Sequence, residues 1–208
     1  MLRIIFVRHG RTNWNVEGRV QGGGSLDAVG RTQAAALAER LRAEPIAAVY
    51  ASPALRARQT ARATAHLHGL PVRQSVLLRD MDYGKYGGLL VSDIKGSDPD
   101  LFQRWVEAPH TVHFEGGDRL ADLRERIQRF IGRTQSEHGE GTVLAATHDS
   151  PVRVAASLAL GMDDSHHNEP QLVTALASVT VVAVNGTGSV ELLAHNDVSH
   201  LRGIDGSA

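Results

Sequence analysis

"IIFVRHGRTN", residues 4–13, sets four apolar strand formers directly against an arginine, a histidine and a glycine. A short apolar run closed by polar residues is the pattern of a strand buried on both faces. Arg8, His9 and Gly10 therefore fall where that strand ends. Working outward, Ala47–Ala51 and Thr142–Thr147 repeat the pattern, and Ala177–Val184 forms a longer β-rich run. Helical patterns lie between them. Arg31–Ala43 is rich in alanine and leucine; Pro53–His68 begins with a proline in its first turn and stops at Gly69. In Arg119–Glu137, apolar residues recur at helical spacing through Leu120, Leu123, Ile127 and Phe130 before Gly139, and Pro151–Leu160 ends at Gly161. Strands alternating with helices predict an α/β fold, a three-layer α/β/α sandwich with a mostly parallel central sheet. The last segment differs: two β-rich runs joined by Asn185-Gly186 predict a hairpin that finishes the sheet antiparallel. The glycines at 22–24 and the stretch Asp82–Pro99 read as loops over one end.

The 208 residues suit a single domain, 1–208, with a substantial core. With 22 basic and 23 acidic residues, the net charge of -1 leaves no basic excess for a nucleic-acid surface. The absence of cysteine excludes disulfides, thiolate zinc sites and cysteine nucleophiles, and fits a reducing cytoplasm. Ile4–Val7 is too short for a signal-peptide core or a membrane span. The expected location is cytoplasmic, with no membrane or nucleic-acid partner. Oligomeric state is left open.

In an open α/β sheet, ligands bind beyond the carboxyl ends of the strands. Three predicted strand ends carry matching chemistry. The first gives Arg8-His9-Gly10. The second runs into "ASPALRARQTA" (51–61), placing Arg56 and Arg58 on the first turns of a helix. The third gives "ATHDSP" (146–151), with His148 before another helix start. Helix N-termini offer free N–H groups, and arginine offers a planar donor fork that matches phosphate oxygens. Together these residues describe a cradle for a small polyanion.

"VRHGRTNWNVEGRVQG" (7–22) with "SPALRARQTA" (52–61) resembles the histidine phosphatase superfamily, in the branch of cofactor-dependent phosphoglycerate mutases and small phosphatases. Further matches follow in order: "LRDMDYGKYGGL" (78–89), "EGGDRLADLRERI" (115–127), "ATHDSPVR" (146–153) and "NDVSHL" (196–201). The resemblance spans residues 2 to 201. It implies a phosphoglycerate mutase-like fold and a metal-independent phosphomonoesterase that acts on small phosphorylated metabolites without a cofactor. His9 would be the phosphoryl acceptor, with Arg8, Arg56 and His148 around the transferring group. Asp80 would be the general acid and base, and Asn15, Arg19 and Gly22 would contact substrate. Neutral imidazole is a good nucleophile near pH 7, and Gly10 is expected to turn the chain without crowding the phosphate. Arg58 is expected at the rim.

Three departures from the family pattern matter. Asp80 stands where glutamate is commoner, so its carboxyl reaches about 1.5 Å less far, roughly one carbon–carbon bond. Asp82, Glu115 and Asp118 are the alternative acids. Asp149 follows the second histidine where glycine is usual, and is expected to cap the helix near Pro151. The stretch "QGGGSLDAVG" (21–30) is shorter than the family's. Of the remaining polar clusters, Asp163, Asp164, His166 and His167 read as a solvated loop. His110 and His113 flank a loop on the substrate side, and Tyr83, Tyr86 and Trp105 read as loop packing. The alternatives to a phosphatase are a cofactor-dependent phosphoglycerate mutase, a catalytically weak phosphoester-binding protein and, last, a metal-dependent hydrolase.

Overall fold

Successive residues of the first strand, β1 (Leu2–Arg8), point into two different cores. Leu2, Ile4 and Phe6 pack with one cluster of buried side chains, while Ile5 and Val7 pack with another. This is the two-residue period of a strand covered on both faces. The computed structural model describes residues 1–21 and 23–204. Beyond β1 the sheet contains β2 (Ile46–Ala51), β3 (Val72–Gln74), β4 (Gly141–Thr147), β5 (Val179–Val184) and β6 (Val190–Asp197), in the order β3-β2-β4-β1-β5-β6. The pairs β3–β2, β2–β4 and β4–β1 are parallel; β1–β5 and β5–β6 are antiparallel. The expected α/β architecture with a mostly parallel sheet and an antiparallel finish is what forms.

The helices are α1 (Asn13–Glu17), α2 (Ala28–Arg40), α3 (Leu55–Leu67), α4 (Val91–Ser97), α5 (Pro99–Glu107), α6 (Leu120–His138) and α7 (Asp149–Ala159). Leu37 of α2 with Ala61 and Ala65 of α3 cover one face of the sheet. Leu123, Ile127 and Phe130 of α6 with Val152 and Ala155 of α7 cover the other, giving the three layers.

Several boundaries differ from the expectation, each for a local reason. Helix α2 starts at Ala28, three residues ahead of the expected Arg31, because the Asp27 side chain accepts the Gly30 N–H at 2.7 Å as an N-cap. Helix α3 starts at Leu55, leaving Pro53 outside. Helix α7 starts at Asp149, with His148 in extended conformation as its N-cap. Strand β5 starts only at Val179, since Ala177 is left-handed at φ 56°. At the hairpin, the Asn185 side-chain oxygen accepts the N–H groups of Thr187 and Ser189, and Gly188 takes the positive φ. The connection is therefore a longer loop, not a two-residue turn. Strand β3 is too short and polar to leave a periodic signal. Helix α4 forms inside the stretch read as loop, and α5 starts where Asp98 caps Leu101 N–H beside Pro99.

Candidate active site

The carboxyl ends of β1, β2 and β4 converge through their own backbone bonds. The His9 N–H donates to Thr147 O at 2.9 Å, and the Ser52 N–H donates to Ala146 O at 2.9 Å. The residues just beyond each strand, His9, Ser52 and His148, are thereby brought together. Helix α3 is tied in by Thr60, whose hydroxyl accepts the Gly10 N–H at 3.0 Å and donates to Arg56 O at 2.9 Å. The loop carrying Asp80 is docked by Thr147, whose hydroxyl donates to Leu78 O at 2.7 Å.

His9 and His148 are almost fully buried and stack edge to face with ring centroids 5.3 Å apart. The His9 Nδ1–H donates to Gly10 O at 2.8 Å, and a carbonyl only accepts, so the lone pair sits on Nε2. His148 Nδ1 lies 2.9 Å from Arg56 Nη2, and guanidinium only donates. His148 therefore accepts there and donates Nε2–H to Ser52 Oγ at 2.8 Å. Both rings are held neutral: burial, then the charges of Arg56 and its neighbours, push their pKa values well below the usual histidine range. Arg8 and Arg56 each bury an Nε–H that has no partner among the described residues. Such orphan donors are costly unless something accepts from them.

Asp80 reaches this cluster in spite of its short side chain. Its Oδ2 lies 3.5 Å from Arg56 Nη2 and 3.6 Å from His148 Nδ1. Burial pushes its pKa up to about 6, with Arg56 pulling against the shift and Asp149 adding to it. Of the alternative acids, Glu115 is exposed and paired with Lys85, Asp118 is bound to Arg126, and Asp82 stands exposed at the rim.

Asp149 does not cap its helix. Its carboxylate pairs with Arg153 Nε at 2.8 Å and Arg8 Nη1 at 3.3 Å and accepts from the Thr174 hydroxyl at 2.7 Å. Burial opposes this charge, but Arg8 and Arg153 override it and hold the carboxyl below its usual range. The same Arg8 Nη1 donates to Thr174 O, so one edge of that guanidinium is fixed.

The other expected contacts fare differently. Asn15 uses its side-chain oxygen to cap α1, accepting from Thr12 N at 3.0 Å and Thr12 Oγ1 at 2.8 Å. Arg19 is engaged with Glu17, with Gly88 O and with the Trp14 ring, and not with the cradle residues. Gly22 lies outside the described residues. Arg58 is half-buried on α3. Gly10 is required for a different reason from the one expected: a Cβ there would lie 2.7 Å from Gly30 O, so the glycine admits the N-terminus of α2. Of the polar loop near 166, His166 bonds Asp163, but His167 is buried against Trp105, with burial and Arg153 lowering its pKa to about 4. That part of the loop is not solvated. His110 and His113 are exposed. Tyr83, Tyr86, Trp105 and Phe114 form the expected aromatic packing, with centroids 4.9 to 6.1 Å apart. Ser52 was not anticipated, although its position right after β2 matches that of His9 after β1.

A pocket of about 580 Å³ opens over these strand ends, with Arg56, Asp80 and His148 in its wall. Buried donors beside a neutral imidazole with a free lone pair and a raised carboxyl can bind a tetrahedral oxyanion and transfer it. Comparison with known proteins agrees. The model of the histidine phosphatase superfamily (branch 1) matches residues 4–198, and the chain belongs to that family. It is a phosphatase, a hydrolase of this superfamily.

Its similarities run to particular members. Phosphoserine phosphatase 1 of Hydrogenobacter thermophilus is 35% identical over 165 residues, covering 78% of each chain. The metal-independent phosphoserine phosphatase of Arabidopsis thaliana is 31% identical, over 99% of this chain and 88% of its own. The solved structure of Bacillus stearothermophilus YhfR superposes with a TM-score of 0.91 at 31% identity, covering 97% of this chain and all of that one. Among the described residues, no helix is long and apolar enough to cross a membrane.

Proposed function

We propose that this phosphatase hydrolyses small phosphomonoesters in the cytoplasm through a phosphohistidine at His9. The observation that carries the reading is the pair of buried Nε–H groups on Arg8 and Arg56 that have no partner among the described residues, on two arginines whose charges act on the neutral His9 ring. A phosphoryl group supplies the acceptors these donors lack, and they stabilise the charge on its oxygens during transfer.

In the first step the Nε2 lone pair of His9 forms a bond to phosphorus as the ester P–O bond breaks. The protonated carboxyl of Asp80 gives its proton to the departing alkoxide, and the alcohol leaves. In the second step the Asp80 carboxylate takes a proton from water, whose oxygen attacks phosphorus. The P–N bond breaks, phosphate is released, and His9 is neutral again. A carboxyl titrating at about 6 is suited to both roles near neutral pH. The absence of cysteine supports the cytoplasmic placement, and the names of the two relatives make O-phosphoserine a substrate to try.

Rapid quench with a ³²P-labelled ester should trap an acid-labile, base-stable phosphoenzyme that is absent in His9→Ala. Full turnover by His9→Ala, or label on another residue, would overturn the mechanism. With 3-phosphoglycerate and a bisphosphoglycerate primer, free phosphate is the expected product; accumulation of 2-phosphoglycerate would show a mutase instead.

A further inference from the structure

Asp149 takes no part in either proton transfer, yet both of its carboxylate oxygens are engaged. Oδ2 accepts from Arg153 Nε at 2.8 Å, four residues on along α7. Oδ1 accepts from the Thr174 hydroxyl at 2.7 Å and lies 3.3 Å from Arg8 Nη1. Thr174 then closes a ring, because its carbonyl accepts from that same Arg8 Nη1. One buried threonine thus offers its side chain to the aspartate and its backbone to the arginine.

The ring joins the end of β1, the first turn of α7 and the segment leading into β5. That segment is tied to the cradle backbone as well. The Ala177 N–H donates to His9 O at 3.2 Å, and the Arg8 N–H donates to Ser178 O at 3.3 Å. Arg8 is therefore fixed at both ends, by its backbone and by Nη1, while its buried Nε–H has no partner among the described residues. A guanidinium is planar, so holding one of its nitrogens between two acceptors restricts the direction of the whole donor fork.

Resting on the reading of Arg8 as a phosphoryl donor, we infer that Asp149 is a positioning residue that, with Thr174, aims the Arg8 guanidinium at the transferring group. A carboxyl held ionised by Arg8 and Arg153 has no proton to give, so it is not a second general acid. Its negative charge does not cancel the pull on a phosphoryl group either, because Arg8 and Arg153 set two cations against one anion. Glycine, usual at this place in the family, has no side chain with which to brace an arginine. Preorganised donors act on charge that develops during transfer, so loss of the brace falls on kcat more than on KM.

The test is a double-mutant cycle read with p-nitrophenyl phosphate, in kcat and KM. Arg8→Ala should lower kcat about 10²–10³-fold. Asp149→Ala should lower kcat roughly 10-fold, the effect of one charged hydrogen bond, with a smaller change in KM. The variant carrying both substitutions should be no slower than Arg8→Ala alone, since the aspartate then has nothing to aim. Thr174→Val keeps the carbonyl and removes only the hydroxyl from the ring; it should cost about 3-fold in kcat, again only while Arg8 is present. It decides the question if Asp149→Ala does not fold. Losses that multiply in the cycle overturn the inference and leave the role of Arg8 standing. So does a native kcat in Asp149→Ala or, where that variant is unfolded, in Thr174→Val. A native kcat in Arg8→Ala would instead remove the reading beneath it.

Discussion

Replacing Asp80 by asparagine should favour the fold increasingly as pH rises while disabling the reaction. Asp80 is largely buried, and its carboxyl titrates at about 6 in the folded protein against an ordinary 3.8. The native state therefore holds a proton through a range in which the unfolded chain has lost it. Stability falls wherever the folded state binds more protons, so this group's contribution declines as pH rises from near 3.8 through about 6 and is flat above. Each pKa unit corresponds to about 1.36 kcal/mol, which puts the total loss at about 3 kcal/mol.

Asparagine does not titrate. The stability of Asp80→Asn minus that of the native protein should therefore rise by about 2 kcal/mol between pH 4 and pH 8, whatever constant offset the amide introduces. Urea unfolding followed by tryptophan fluorescence at several pH values measures that difference directly. Parallel stability curves would refute the reasoning, because they would mean the carboxyl is not desolvated in the folded state. Phosphatase turnover by the same variant should fall by roughly 10²–10⁴, the usual worth of a positioned proton donor.

Asp149→Asn should move the alkaline limb of kcat/KM to lower pH, because removing a negative neighbour makes Asp80 easier to ionise; a pH–rate profile checks this. Arg56→Ala should lower kcat by about 10²–10³, since it removes a donor aimed at the transferring group. Steady-state kinetics at saturating substrate would reveal an unchanged kcat if that reading is wrong. Gly30→Ala should destabilise the protein by about 1–3 kcal/mol or more, because its Cβ would come within 2.1 Å of Arg11 O. Thermal unfolding measures the loss, and an unaltered midpoint would contradict it.

The strands were legible because burial on both faces leaves a simple mark: Ile4–Val7 and Thr142–Thr147 are almost wholly apolar, and both lie inside observed strands. The cradle was legible for a related reason. Charged and imidazole side chains immediately after such runs are conspicuous, and His9, Arg56 and His148 do meet. Chemistry that depends on distant partners was not legible. Besides Arg153 four residues on, Asp149 is held by Arg8 and Thr174, the latter 25 residues away in sequence, and local reasoning offered only a helix cap. Likewise Gly10 answers to Gly30, whose approach no local turn pattern announces. Helices α4 and α5 were missed because the first spans only two turns and the second is announced mainly by Asp98-Pro99.

The base of the segment between His9 and α2 is fastened several times over. The Asp27 N–H donates to Arg11 O at 3.0 Å, Arg11 Nε donates to Asp27 at 2.7 Å, and Leu26 N–H donates to Gln59 at 2.8 Å. Above that fastening, Trp14, Gln21 and Gly23 form part of the pocket wall. Insertions and deletions in the stretch from 13 to 25 can therefore resize the mouth without displacing His9. Selectivity in this protein can drift by changes in loop length alone, while the phosphoryl chemistry beneath stays in place.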